Sequence, residues 1–133
     1  MTDAVQPSAR RTFVWALLPF EVQSLAVLGV RGRGWWSGQP GVYIFAKQTV
    51  EYLAPLYVGR TRNLKNRLPY HKIWDIALAH GATHLHTCVV PYSADRMNTE
   101  RFLIAVFQPP LNKHYRRLRV SEKDRSFAMN CSF

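Results

Sequence analysis

Gly41-Val42-Tyr43-Ile44-Phe45-Ala46 and Leu56-Tyr57-Val58-Gly59 are two short apolar runs, rich in β-branched and aromatic residues. Each predicts a strand. Lys47 to Pro55 joins them, which predicts an antiparallel hairpin with a long loop. Side chains alternate along a strand, so Gly41, Tyr43 and Phe45 share one face while Val42 and Ile44 share the other.

From Asn63 the apolar spacing turns helical, through Leu64, Leu68, Ile73, Trp74, Ala77 and Leu78. Asn63 suits an N-cap. Pro69 predicts a break at Leu68 and a second helix starting near Pro69, with Gly81 as its stop. Residues 84–90 alternate as a third strand, which Pro91 closes. Ser93 or Asp95 then starts a helix that Pro109-Pro110 ends. Toward the N-terminus, residues 13–28 are apolar and predict one helix, with Pro19 as its first helical residue and Gly29 as its stop. The expected fold class is α/β (α+β): a small, mainly antiparallel three-stranded sheet flanked by helices. The expected division is an N-terminal extension over 1–39, a core domain over 40–113 and a basic tail over 114–133.

Glu100 stands out within Glu100-Arg101-Phe102-Leu103-Ile104-Ala105-Val106-Phe107. At helical spacing it shares a face with Leu103, Ile104 and Phe107. A bare carboxylate on a core-seeking face is costly to desolvate. It needs a cationic partner or a metal ion.

The chain has 133 residues, of which 47% are hydrophobic, enough for one compact domain. Lys plus Arg number 18 against 8 Asp plus Glu, a formal charge of +10. That surplus favours a polyanionic partner, usually nucleic acid. Cys88 and Cys131 fit neither a metal clip nor a disulfide framework, so a reducing, cytoplasmic setting is the default. No apolar run is long enough to span a membrane. Arg10-Arg11 precedes an apolar stretch as in an export signal, but Pro19 and Glu21 cut that stretch short and disfavour export. The loop Arg31-Gly32-Arg33-Gly34-Trp35-Trp36 has two readings: a phosphate grip with stacking tryptophans, or tryptophans plugging the core edge. His84, His86 and Cys88 alternate along one strand face, but no fourth ligand has the spacing for zinc, and a half-exposed face is expected.

Gly41-Val42-Tyr43, then thirteen residues, then Tyr57-Val58-Gly59 resembles the paired tripeptides of the GIY-YIG nucleases. Asn63-Leu64-Lys65-Asn66-Arg67-Leu68 resembles that family's helix with its catalytic arginine. His71, four residues on, matches a histidine of many homing and restriction members. Glu100 matches the metal-binding glutamate, and Pro109-Pro110-Leu111-Asn112 the closing motif with its asparagine. The resemblance covers about residues 40 to 113.

It implies metal-dependent hydrolysis of nucleic-acid phosphodiesters, DNA foremost. Glu100 would hold one magnesium or manganese ion. Magnesium keeps several waters and takes further ligands from phosphate, so one carboxylate is a reasonable protein share. Tyr43 is the implied general base, with His71 its rival; Tyr57 shares the cleft. Arg67 offers a permanent charge to phosphate. Arg60 stands where several members carry lysine; it keeps the charge but cannot transfer a proton. Gly41, Gly59 and Asn112 are supporting residues. Arg31, Arg33, Lys65, His80, Lys113, Arg116, Arg117 and Arg119 are candidate nucleic-acid contacts. A homodimer or a specificity-giving partner protein is compatible with so short a chain. The competing function is a basic nucleic-acid-binding protein that keeps the fold and does not cut.

The tail generates a direct test. Truncation after Tyr115 should flatten the fall of log K with log salt, which amounts to roughly 0.9 per phosphate contacted on duplex DNA. An unchanged slope in a binding titration removes the tail from the footprint.

Overall fold

The computed structural model describes residues 11–28 and 31–113. Five strands form one sheet: β1 (Arg11–Trp15), β2 (Leu18–Ser24), β3 (Gly41–Gln48), β4 (Leu53–Thr61) and β5 (His84–Val89). Their order is β1-β2-β5-β3-β4, and every neighbouring pair is antiparallel. Helices α1 (Leu64–Arg67) and α2 (Ile73–Ala79) cover one face. Helix α3 (Ser93–Phe107) covers the other.

The predicted β3–β4 hairpin forms with longer strands and a shorter loop than the sequence suggested. Phe45 pairs Tyr57 while Ala46 pairs Pro55, so Leu56 is an extra residue in β4. This bulge leaves Leu56 and Tyr57 both packed toward the α1–α2 face. The alternation along β3 follows expectation. Tyr43 and Phe45 enter the core beneath α1 and α2, while Val42, Ile44 and Ala46 enter the core beneath α3. Gly41 is required sterically: a Cβ there would lie 2.4 Å from the Cys88 carbonyl oxygen on the paired strand.

The apolar stretch 13–28, expected to carry a helix from Pro19, instead contributes to the hairpin β1–β2, which raises the sheet from three strands to five. Trp15 pairs Leu18 across a two-residue turn, and Ala16 and Leu17 both have positive φ, at 48° and 66°. Phe13, Trp15, Phe20 and Val22 alternate, and Trp15 and Phe20 are wholly buried beside α3. Strand periodicity and tertiary burial override the helical reading of the same apolar run.

The break at Pro69 is real but takes another form. Leu68–Tyr70 is a 3-10 turn, and α2 starts only at Ile73. Asn63 caps α1, its side chain accepting from the Asn66 N–H at 3.1 Å. Trp36 joins the core edge-on to Trp74, with Trp35 packed against that cluster. The plugging reading of the tryptophan pair therefore holds for Trp36.

His86 and Cys88 are buried rather than half-exposed. Among the described residues, no group of three His, Cys, Asp or Glu side chains is placed to hold a metal, zinc included. Nor is any described helix long and apolar enough to cross a membrane. His86 Nδ1 accepts from Trp15 Nε1 at 3.0 Å, which assigns the ring proton to Nε2. Protonating Nδ1 would set it against that N–H, and burial, with a smaller contribution from His84, lowers the His86 pKa to about 3.

A histidine held below its unfolded value near 6.5 favours the folded state while neutral. Its contribution is therefore lost as pH falls from about 6.5 toward the folded value. Urea midpoints should drop across that window. His86→Gln should flatten the drop; an equally steep dependence in the variant would exclude His86 as its source.

Candidate active site

The site is built where β3 and β4 run beneath the α1–α2 break. Tyr43 lies opposite Gly59 in the strand register. A Cβ on Gly59 would come within 2.5 Å of the Tyr43 ring and hydroxyl, so glycine makes room for the phenol. Tyr43 is only 1% exposed. Its ring centroid stands 6.3 Å from that of Tyr57 and 5.8 Å from that of His71. Tyr57 and His71 are 5.6 Å apart and edge-on. One small cluster thus holds two phenols and an imidazole.

Arg67 closes the cluster from the end of α1. It hydrogen-bonds the Tyr43 side chain, and its Nη2 lies 3.4 Å from His71 Nε2. The 3-10 turn keeps Arg67 and His71 together despite Pro69. His71 Nδ1 accepts from the Ile73 N–H at 3.2 Å, which leaves the ring proton on Nε2. Burial, then the charges of Arg67 and Lys72, lower the His71 pKa to about 4. At neutral pH His71 is neutral, with its Nε2 edge facing the Arg67 guanidinium.

Burial raises the phenol pKa of Tyr43, helped by Tyr57 and Glu100 and opposed by the hydrogen bond and charge of Arg67. Burial also raises Tyr57, with Glu100 adding to it and Arg67 opposing it. Glu100 is therefore close enough for its charge to reach both phenols. Its side chain is 13% exposed and ion-pairs with Arg60, which follows Tyr57-Val58-Gly59 on β4 and is 40% exposed. The lone acid on the apolar face of α3 is partnered, as desolvation demands.

Asn112 holds the strand edge. Its Oδ1 accepts from the Val58 N–H and its Nδ2 donates to the Val58 carbonyl, both at 2.8 Å. The side chain supplies the pair of bonds a further strand would make, between Tyr57 and Gly59. Losing two buried bonds of this kind costs on the order of 1–3 kcal/mol.

The structure thus gathers Tyr43, Tyr57, Gly59, Arg60, Arg67, His71 and Glu100, with Asn112 behind them. Arg31 pairs with Asp75 and reaches the Pro69 carbonyl at 3.5 Å. Arg33 sits over the Tyr70 ring at 5.4 Å. Lys65 and Lys113 are exposed. His80 caps the far end of α2, its Nδ1 meeting the Ile76 carbonyl at 2.9 Å. Arg116, Arg117 and Arg119 lie outside the described residues. Lys72 was missed in the sequence reading. Its adjacency to His71, just past the Pro69 break, was the available signal.

No protein-family model matches the chain, and no curated protein matches it. Among solved structures it is similar to the GIY-YIG N-terminal endonuclease domain of UvrC from Thermotoga maritima, bound to its catalytic divalent cation, magnesium. That match has 28% identity, covers 58% of this chain and 86% of that one, and has a TM-score of 0.48. A tyrosine-to-phenylalanine point mutant of the same Thermotoga maritima domain, bound to its catalytic divalent cation, matches at 31% identity over 59% of this chain and 87% of that one, with a TM-score of 0.47. An asparagine-to-alanine point mutant of it matches at 27% identity over the same shares, with a TM-score of 0.48.

The contact between Gly59 and Tyr43 is open to test by a double-mutant cycle. Gly59→Ala should cost about 1–3 kcal/mol in chemical denaturation. In a Tyr43→Ala background, where the ring is gone, the same change should cost clearly less. Equal costs in both backgrounds would mean that the ring does not need the glycine.

Proposed function

We propose that this protein is a metal-dependent endonuclease that hydrolyses nucleic-acid phosphodiester bonds, DNA foremost. The observation that carries the reading is the convergence of Tyr43, Tyr57, Arg67, His71 and Glu100 in one cluster. The motif resemblance runs through the same residues.

Glu100 fits a hard divalent cation. It is a single oxygen-donating carboxylate that keeps some exposure beside the cluster, which suits magnesium or manganese completed by water and phosphate. When bound, such an ion polarises the phosphate and stabilises the leaving oxygen. Arg60 then shares or yields its carboxylate partner and turns its charge to phosphate. Arg67 neutralises charge that builds on the non-bridging oxygens. His71, carrying its proton on Nε2, donates to a phosphate oxygen rather than taking a proton. That leaves Tyr43 as the acceptor of the proton of the attacking water. Burial, Tyr57 and Glu100 oppose the phenolate and outweigh Arg67 in the isolated protein; the Arg67 hydrogen bond and charge are what favour it, and a cation on Glu100 would offset one of the opposing charges.

A second reading has one observation in its favour. The Arg60–Glu100 pair satisfies the carboxylate without any metal. A protein that binds nucleic acid and does not cut is consistent with that pair.

The deciding experiment incubates plasmid and single-stranded DNA with and without magnesium. Wild-type protein should cut only with metal. Glu100→Ala should lose cleavage by at least about a hundredfold while binding DNA nearly as before. Undiminished cutting by the variant overturns the role of Glu100. Binding without any metal-dependent nicking favours the second reading.

A further inference from the structure

A cleft of about 380 Å³ opens beside His71, between α2 and the segment that follows α3. Ile73, Ile76, Pro110 and Leu111 make its apolar floor, and Lys72 and Lys113 its rim. The wall it shares with the candidate active site is His71. The segment after α3 is tied to the edge strand: the Leu111 N–H donates to the Leu56 carbonyl at 3.0 Å, one residue before Tyr57. The floor therefore abuts the two-tyrosine cluster.

The chemistry of this lining is selective. Among the described residues it contains no carboxylate, and its rim carries two lysines. Ile76 remains 43% exposed, an apolar side chain left open on a strongly basic chain. The size falls in the range of about 300–1,000 Å³ of pockets that hold small molecules. An occupant must offer an apolar, flat body beside negative charge, next to a site that fits a phosphodiester.

We infer that the cleft is a subsite for one unpaired nucleotide of the strand being cut, lying next to the scissile phosphate. This rests on the reading of the preceding subsection. The base lies on Ile73, Ile76, Pro110 and Leu111, and the flanking phosphates face Lys72 and Lys113. The floor side chains carry no hydrogen-bonding group, so they accept any base. A base stacked inside a duplex does not reach such a floor; it must be unstacked first. The favoured substrate class is thus nucleic acid that is single-stranded, flapped or unpaired at the cut, not continuous duplex.

The test measures binding without divalent metal, so that no cleavage intervenes. The probes are a fluorescent oligothymidylate and an abasic strand of equal length and charge. Wild-type protein should bind the base-bearing strand roughly tenfold more tightly. Ile76→Asn, at an exposed position, should weaken the base-bearing strand at least several-fold and leave the abasic strand unchanged. Lys72→Ala should weaken both alike, because it removes a phosphate contact. Equal wild-type affinity for the two strands overturns the subsite and leaves the nuclease reading standing. So does an Ile76→Asn variant that keeps the wild-type ratio. Binding of neither strand overturns both.

Discussion

The site depends on how closely the Tyr43 ring lies against Gly59. Strand pairing sets the two residues opposite each other, and no other residue type leaves room for the phenol. Once the ring is there, Tyr57 and His71 pack around it. The β3–β4 register is thus also the geometry of the candidate active site. Asn112 covers β4 from outside, since its two bonds to Val58 occupy backbone groups that an edge strand would otherwise leave open.

Burial then sets the protonation of the cluster. It raises both phenols and lowers the imidazole, so Tyr43, Tyr57 and His71 are all neutral at physiological pH in the isolated protein. The permanent charges come from Arg67, Arg60 and Glu100. A neutral cluster next to fixed cations costs less desolvation than a charged one, and its electrostatics are ready before a phosphate arrives. Glu100 is the exception, and the structure answers it with an arginine rather than with a second acid.

Much of this was legible in the sequence because it rests on local patterns. The β3 alternation, the Asn63 cap and the placement of Glu100 among Leu103 and Ile104 follow from periods of 2 and 3.6. The N-terminal hairpin was not legible in the same way. Its turn uses Ala16 and Leu17 at positive φ, where Gly, Asn or Asp is the usual signal. Pro19 also suits a helix start as well as a strand end. The alternation of Phe13 and Trp15, then Phe20 and Val22, was the remaining clue, and the apolar residues between them obscured it. The start of α2 was misread because a Pro can open a 3-10 turn as readily as an α-helix.

The misread hairpin also bears on the site. It lies at one edge of the sheet, while Tyr57 and Arg60 lie on β4 at the other. Yet Trp15 packs edge-on against Phe107 at 5.3 Å, at the end of α3. Phe107 is two helical turns from Glu100 on the same face, with Leu103 and Ile104 buried between them. A rigid helix seated at both ends passes its position along its length. The acid that meets Arg60 is therefore held partly by a tryptophan on the opposite edge strand. The sequence reading had already set Leu103, Ile104 and Phe107 on the face of Glu100; what it lacked was Trp15, the surface against which that face is set.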